Sequence, residues 1–173
     1  MIRRATPLNI ISKLAPPCRC AACSHGCTMG SGFLAQGDIA PMARFLGVSE
    51  EELKKKYLEE VEQFHTKLWR PNIERAEGKQ YGKCTFFSKE KGCTVHQAKP
   101  LQCKVSMGCK PYSSDLHAWF MLNHMVNPTD PESIRQYADY LKADGTTIQG
   151  GKLEELVPDK KKLKEILSFE LLK

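Results

Sequence analysis

Apolar residues recur at helical spacing in several separate stretches of the chain. Ile39, Met42, Ala43 and Leu46 follow one another at intervals of three and four, with Asp38 as a candidate N-cap and Gly47 as a stop. Ser49-Glu-Glu-Glu52 has the form of a capping box. Behind it Leu53, Tyr57, Leu58, Val61, Phe64 and Leu68 line one face, so the pattern predicts a second helix that runs to Arg70 and stops at Pro71. The apolar run from Asp115 to Val126 predicts a third helix. Asp130-Pro131-Glu132 opens a fourth, with Asp130 as cap, Ile134, Tyr137, Ala138 and Leu141 on its inner face, and Gly145 at its end. A basic amphipathic helix is expected from Asp159 to Leu172.

The remaining stretches lack this period. Pro7, Pro16 and Pro17 argue for an extended segment over residues 1–17. Residues 18–32 read as a tight loop. Residues 72–114 read as irregular, with short strands allowed at Thr85-Phe86-Phe87 and Thr94-Val95, and residues 146–151 as a turn or short strand. The expected fold is therefore mainly α: a small irregular helical domain whose cysteine-rich loops are stapled by metal, with few or no short strands. The expected organisation is an extended segment at 1–17, a cysteine-cluster core at 18–114 and a helical extension at 115–173 packed on that core.

Composition adds that 173 residues, 41% hydrophobic and 27% charged, suit an ordinary globular domain with a core of its own. Residues 1–17 carry Arg3, Arg4 and Lys13, but Pro7 and Asn9 interrupt any apolar run, so no signal peptide is read there. No stretch approaches the length of a membrane span. The expected location is cytoplasmic, where thiols stay reduced.

That reading gives the eight cysteines their meaning. They stand at Cys18, Cys20, Cys23 and Cys27, and again at Cys84, Cys93, Cys103 and Cys109. Reduced thiols grouped in this way read as metal ligands before disulfides. Cys20-x2-Cys23-x3-Cys27 is a chelating run, suited to zinc or to an iron–sulfur cluster. Cys18-x-Cys20 is too short to assume a shared ion. The second block, at eight, nine and five intervening residues, is unspecific on its own. His25 and His96 lie within the blocks and could replace a thiolate on zinc, although His96 reads first as a hydrogen-bonding residue. No arrangement of acid, base and nucleophile identifies an enzyme, and Gly30-Ser31-Gly32 lacks the lysine of a phosphate-binding loop.

Charge follows the cysteines. The net +6 is made of +4 over residues 1–37 and +5 over 74–110, against −1 over 38–73 and −2 over 111–173. A dication or a [4Fe–4S]²⁺ core on four thiolates carries a formal charge of about −2. Two such centres would bring the chain to about +2. The basic residues then offset thiolate charge, and nucleic-acid binding is not the favoured reading.

Several linked segments carry a resemblance. Asp38-Ile39, Met42-Ala43-Arg44-Phe45-Leu46-Gly47-Val48-Ser49 and Glu51-Glu52 are followed by Cys84-Thr85-Phe86-Phe87, Cys93-Thr94-Val95-His96 and Lys99-Pro100-Leu101-Gln102-Cys103-Lys104. From about residue 18 to residue 110 their order and spacing resemble the YkgJ-like C-x2-C-x2-C-C cysteine-cluster family, called zinc- or iron-chelating. That family has an N-terminal cysteine run, a segment of the type D-I-x-x-I-A-x-F-L-G-x-S-x-E-E, and then C-x-F-L, C-x-I-Y and R-P-x-x-C-R. This chain departs from it at Gly26-Cys27, where adjacent cysteines are usual, at Lys99 for arginine and at His96 for tyrosine. Cys18 and Cys109 are additions. The resemblance implies metal or iron–sulfur binding and no defined reaction.

A three-cysteine loop joined by a remote fourth thiol looks more like cluster ligation than like paired zinc knuckles. The expectation is a centre in which Cys20, Cys23 and Cys27 combine with one or more of Cys84, Cys93, Cys103 and Cys109, holding one or two [4Fe–4S] clusters, with Zn²⁺ as the alternative. The expected role is electron transfer, redox sensing or assistance to an enzyme, with an unidentified redox or protein partner. The alternatives are a zinc-stapled interaction module and a basic RNA- or ribosome-associated metalloprotein.

Overall fold

The computed structural model describes residues 1–106, 109 and 111–169. In chain order the elements begin with α1 (Leu8–Leu14), α2 (Ala21–Met29), a 3-10 turn (Gln36–Asp38), α3 (Ile39–Leu46) and α4 (Glu50–Tyr57). The strands β1 (Leu58–Gln63), β2 (Thr66–Pro71), β3 (Ile73–Arg75), β4 (Gly82–Cys84), β5 (Phe87–Ser88) and β6 (Gly92–Cys93) follow. The chain then forms α5 (Leu101–Val105), α6 (Ser113–His124), α7 (Pro131–Lys142), α8 (Leu153–Leu156) and α9 (Lys160–Ser168). The strands pair as three antiparallel two-stranded sheets. The content is mixed, so the expectation of a mainly α fold with few or no strands holds only for its helical part.

Capping signals placed several helices correctly. The Ser49 hydroxyl accepts the Glu52 amide at 3.1 Å and opens α4. Gly47, at φ +69°, closes α3, and the Val48 amide reaches back to the Ala43 carbonyl at 3.1 Å. Asp130 accepts the Glu132 amide at 3.0 Å ahead of Pro131 in α7. Asp159 does the same for the Lys161 and Lys162 amides of α9. The expected extension of that last helix to Leu172 lies partly outside the described residues. Asp38 stands at the N-cap position of α3 but makes no side-chain cap bond to it: its Oδ2 accepts the amides of Ala35, at 2.8 Å, and Leu101, at 2.7 Å, and so ties α5 to the turn before α3.

The largest difference is at residues 58–71. The chain leaves α4 at Tyr57 and forms a hairpin with Leu58 opposite Pro71 and Gln63 opposite Thr66. Phe64 and His65 occupy the turn, both left-handed at φ +49° and +57°, the conformation that a two-residue hairpin turn demands. Leu58, Val61, Phe64 and Leu68 fit a helical period, but the charges fit the sheet. Glu59 lies opposite Arg70 at 2.7 Å and Glu60 salt-bridges Lys67 at 3.2 Å. Arg75 adds a second guanidinium on Glu59 at 2.8 Å. Burial opposes ionisation of that carboxyl, and the two arginines outweigh it and hold Glu59 below its ordinary range.

Residues 8–14 are helical rather than extended. Pro7 stands just ahead of α1, where its missing N–H costs nothing. Ile2, Ile11 and Ala15 bury against Trp119, Phe120, Leu122 and Tyr137 in the larger of two apolar clusters. The Trp119 indole donates to the Thr6 carbonyl at 2.8 Å and Arg3 bridges to Gln149, so the first residues are strapped onto α6 and the 148–150 segment. The smaller cluster contains Leu34, Met42, Leu53, Leu58, Phe86, Phe87 and Val95, together with Cys84. It forms the floor beneath the cysteines.

The hairpin turn is held to α7 by His65 Nδ1 and Asp130 Oδ2, 2.6 Å apart. The hydrogen bond to Asp130 raises the His65 pKa above 6.5, and the bond to His65 lowers the Asp130 pKa below 3.8. A raised histidine stabilises fully below its unfolded pKa and loses that contribution as pH rises through the folded value. A lowered carboxylate contributes above its unfolded pKa and loses that contribution as pH falls through the folded value. The stability lost in His65→Ala, measured by denaturant unfolding, should therefore be largest between about pH 4 and 6.5 and shrink on either side. A difference that does not vary with pH would show that the pair is not formed in solution.

Candidate metal centre

The first cysteine block folds as a helix, not as the expected loop. Cys20 takes the N-cap position of α2 in an extended conformation. Ala21 and Ala22, strong helix formers, start the first turn. Cys23 and Cys27 then lie one turn apart on the same face, about 6 Å along the axis. Gly30 ends the helix with its amide on the Gly26 carbonyl.

The N-terminal end of α2 meets the segment before it and the chain beyond α5. The Sγ atoms of Cys18, Cys20, Cys23 and Cys109 all lie within 4.8 Å of one another. Cys20 and Cys23 sulfurs are 3.7 Å apart, and Cys23 and Cys109 sulfurs 3.5 Å. A disulfide would bring two sulfurs to about 2.05 Å. Four thiolates tetrahedrally around one Zn²⁺, with bonds of about 2.3 Å, stand about 3.8 Å apart. The observed spacing matches the second case. The donor set is also right for a soft ion, being all sulfur. Cys18 and Cys109, the two additions to the family pattern, complete this group, while Cys27 stands outside it. One residue between Cys18 and Cys20 proves enough for both to reach it.

The electrostatics of the group are those of a site that shares protons. Cys20 is exposed, and its thiol is lowered from 9.0 to about 6, first by the Cys23 amide and then by the thiols of Cys18 and Cys109. Placement at a helix N-terminus favours the thiolate in the same sense. Cys23 is pushed up, first by its burial and then by the neighbouring thiols, and Cys109 is raised chiefly by burial. One anion surrounded by three thiols is the best arrangement without a cation. A dication replaces those shared protons and lets all four ionise.

His96 lines the same region as a hydrogen-bonding residue: its Nε2 stands 3.0 Å from the Cys18 carbonyl and fixes the start of the cysteine run. His25 is exposed on α2. Trp119 and Phe120 are core residues, and Lys160 to Lys162 form a solvated face.

The other four cysteines stand apart from this group, Cys84 buried and Cys27, Cys93 and Cys103 half-buried. Cys84 ends β4 and Cys93 ends β6, both against the flank of α2 that carries Cys27. Cys103 sits in α5, with the Gly32 backbone against it. Burial pushes Cys84 and Cys103 up to about 12, and raises Cys27 and Cys93 as well. The expected centre combined Cys20, Cys23 and Cys27 with one or more of the later thiols; the structure gathers Cys20 and Cys23 with Cys18 and Cys109 and leaves Cys27 outside. Cys109 crosses to the first block's sulfurs, and Cys27 crosses to the second's. Sequence spacing carries no signal for this exchange, because it depends on the helical register of α2.

The sequence model of a family named CxxCxxCC, described as "Putative zinc- or iron-chelating domain", matches residues 19–123. No curated protein and no solved structure matches the chain.

In the reduced, metal-free chain at neutral pH, iodoacetamide should label Cys20 first and Cys84 and Cys103 last, as read by peptide mass spectrometry over time. Labelling of Cys84 or Cys103 ahead of Cys20 would contradict this electrostatic order.

Proposed function

The chain belongs to the CxxCxxCC zinc- or iron-chelating family, and from that premise we propose that it is a metal-stapled accessory module. Cys18, Cys20, Cys23 and Cys109 would hold a single thiolate-ligated ion, of which Zn²⁺ fits best. The observation that carries this reading is the convergence of four sulfurs to within 4.8 Å. The irons of a [4Fe–4S] cluster stand at separate corners, each with its own thiolate, so cluster ligands lie farther apart than ligands that meet at one ion. For these four residues the spacing favours the zinc alternative over the cluster that the three-cysteine run suggests.

Four protein ligands close the coordination sphere, which is the pattern of a structural rather than a catalytic zinc. Such an ion contributes folding free energy and no open position for chemistry. It joins the N-terminal end of α2 to Cys109, 86 residues beyond Cys23. Closing that span would tie α2 to Cys109, which lies in sequence between α5 and α6. The reading is thus of a module whose surface around Cys20 and Cys109 is set by metal and offered to a protein partner. Among the described residues, no helix is long and apolar enough to cross a membrane.

Cys109→Ser tests this directly, since Cys109 lies at the surface and its loss leaves no cavity. The variant should bind its metal at least ~100-fold more weakly, beyond the cost of losing a mere outer-shell partner, and melt at lower temperature. Metal analysis after gel filtration, with thermal unfolding of the same sample, reads both. Unchanged metal content with unchanged melting would sink the assignment.

A further inference from the structure

We propose that the cavity beside α2 binds a small organic anion, whose carboxylate or phosphate is met by the Lys99 ammonium and the Ser106 hydroxyl. The proposal goes beyond the metal-stapled module and takes none of the thiols as a ligand. The cavity holds about 720 Å³, the size of a small-molecule site. Residues of α2, β5, β6, α5 and α6 all contribute to its wall.

Two polar groups on that wall lack partners. Lys99 is only 7% exposed, and makes no hydrogen bond or ion pair among the described residues. Lysine is almost never taken out of water unpaired, because its charge loses its hydration and gains nothing in return. The charge acts on Cys27 and Cys93, two residues of the same wall, which places the ammonium on the cavity side. Ser106 Oγ is buried, lines the same cavity and has no hydrogen-bond partner among the described residues. Buried hydroxyls are nearly always satisfied, so an orphan on a cavity wall points to a partner held in the cavity. Water satisfies a hydroxyl, but only an anion answers a buried ammonium.

The rim carries the same sign. Arg19, Lys89 and Lys91 are exposed residues of the cavity, and Glu90 is the one acid among those that line it. Three cations against one acid leave a positive entrance, which draws anions in. Elsewhere the wall is apolar, with Met29, Phe87, Val95 and Pro100 upon it. A few polar groups converging in an otherwise apolar cavity suit a ligand with an apolar body and a charged head. They do not suit inorganic phosphate alone.

The test uses the full chain, purified anaerobically with the metal it carries. Phenyl phosphate, benzoate, benzyl alcohol and inorganic phosphate are each titrated by calorimetry into wild type, Lys99→Met, Ser106→Ala and Lys160→Met. Metal content and melting temperature are measured on every sample. Phenyl phosphate and benzoate join a ring to an anionic head, benzyl alcohol has the ring without the charge, and inorganic phosphate has the head alone. The wild type should bind phenyl phosphate or benzoate more tightly than benzyl alcohol or inorganic phosphate, and the better of the two identifies the head as phosphate or carboxylate. Lys99→Met and Ser106→Ala should each weaken that probe about 10-fold or more, the scale of a hydrogen bond to a charged group. Lys160→Met, on the exposed face of α9, should bind as wild type.

Without ligand, Lys99→Met should melt at a higher temperature than wild type, since it removes an unpaired buried charge. A lysine that supports the fold would give the opposite shift. Binding of no probe at millimolar concentration would overturn the proposal, as would equal affinity in wild type and Lys99→Met. Lower melting or lost metal in Lys99→Met would also overturn it, because Lys99 would then answer a charge inside the protein. If Lys99→Met does not fold, Ser106→Ala decides: weakened binding supports the proposal and unchanged binding sinks it. Failure on affinity alone leaves the metal content, and with it the reading of the outer thiol group, untouched.

Discussion

Four sulfurs within 4.8 Å of one another cannot all be anions unless a cation stands between them. The rest of the structure is organised around that constraint. Among the described residues, short strands and one short helix leave little regular hydrogen bonding between residues 72 and 106. The apolar floor of Leu34, Met42, Leu53, Phe86 and Val95 packs beneath the cysteines but does not enclose them. Cys18, Cys20 and Cys23 join Cys109 across most of the family-matched region. A cation that makes four strong bonds there closes a long loop and removes much of the freedom of the unfolded chain.

Helix α2 divides the cysteines between two groups. Its first turn delivers Cys20 and Cys23 to the outer group, and the next turn delivers Cys27 to the flank facing β4 and β6. The outer group sits at the surface on a helix N-terminus, where thiolates are favoured. Of the other thiols Cys84 is buried and Cys27, Cys93 and Cys103 are half-buried, and desolvation raises all four. The basic excess of the two cysteine blocks fits this division. Arg19 and Lys99 both act on Cys93, so part of the net +6 faces sulfur rather than an external partner.

Sequence pattern revealed those parts of the fold whose causes are local. Ser49, Gly47, Asp130 and Asp159 each act within four residues, and each sits where the pattern places it. The hairpin at 58–71 was hidden because Leu58, Val61, Phe64 and Leu68 satisfy the helical period by coincidence. The cross-strand partners Glu59 and Arg70 and the diagonal ion pair of Glu60 with Lys67 favour the sheet, while Phe64 and His65 are held at positive φ in the turn. The same holds at the site. Metal binding was legible in the eight thiols, as was the family. Which thiols meet was not, because a helix in place of a loop sends Cys27 away from Cys20. Lys99 was visible only as a departure from the family's arginine; its burial beside Cys27 and Cys93 is a property of the folded chain.

X-ray absorption at the zinc edge of the anaerobically purified chain tests the central claim most directly. The account predicts a first shell of four sulfurs at about 2.3 Å and no nitrogen or oxygen, the signature of a closed thiolate site. A shell containing nitrogen or oxygen, or a chain that takes up no zinc at all, would contradict it.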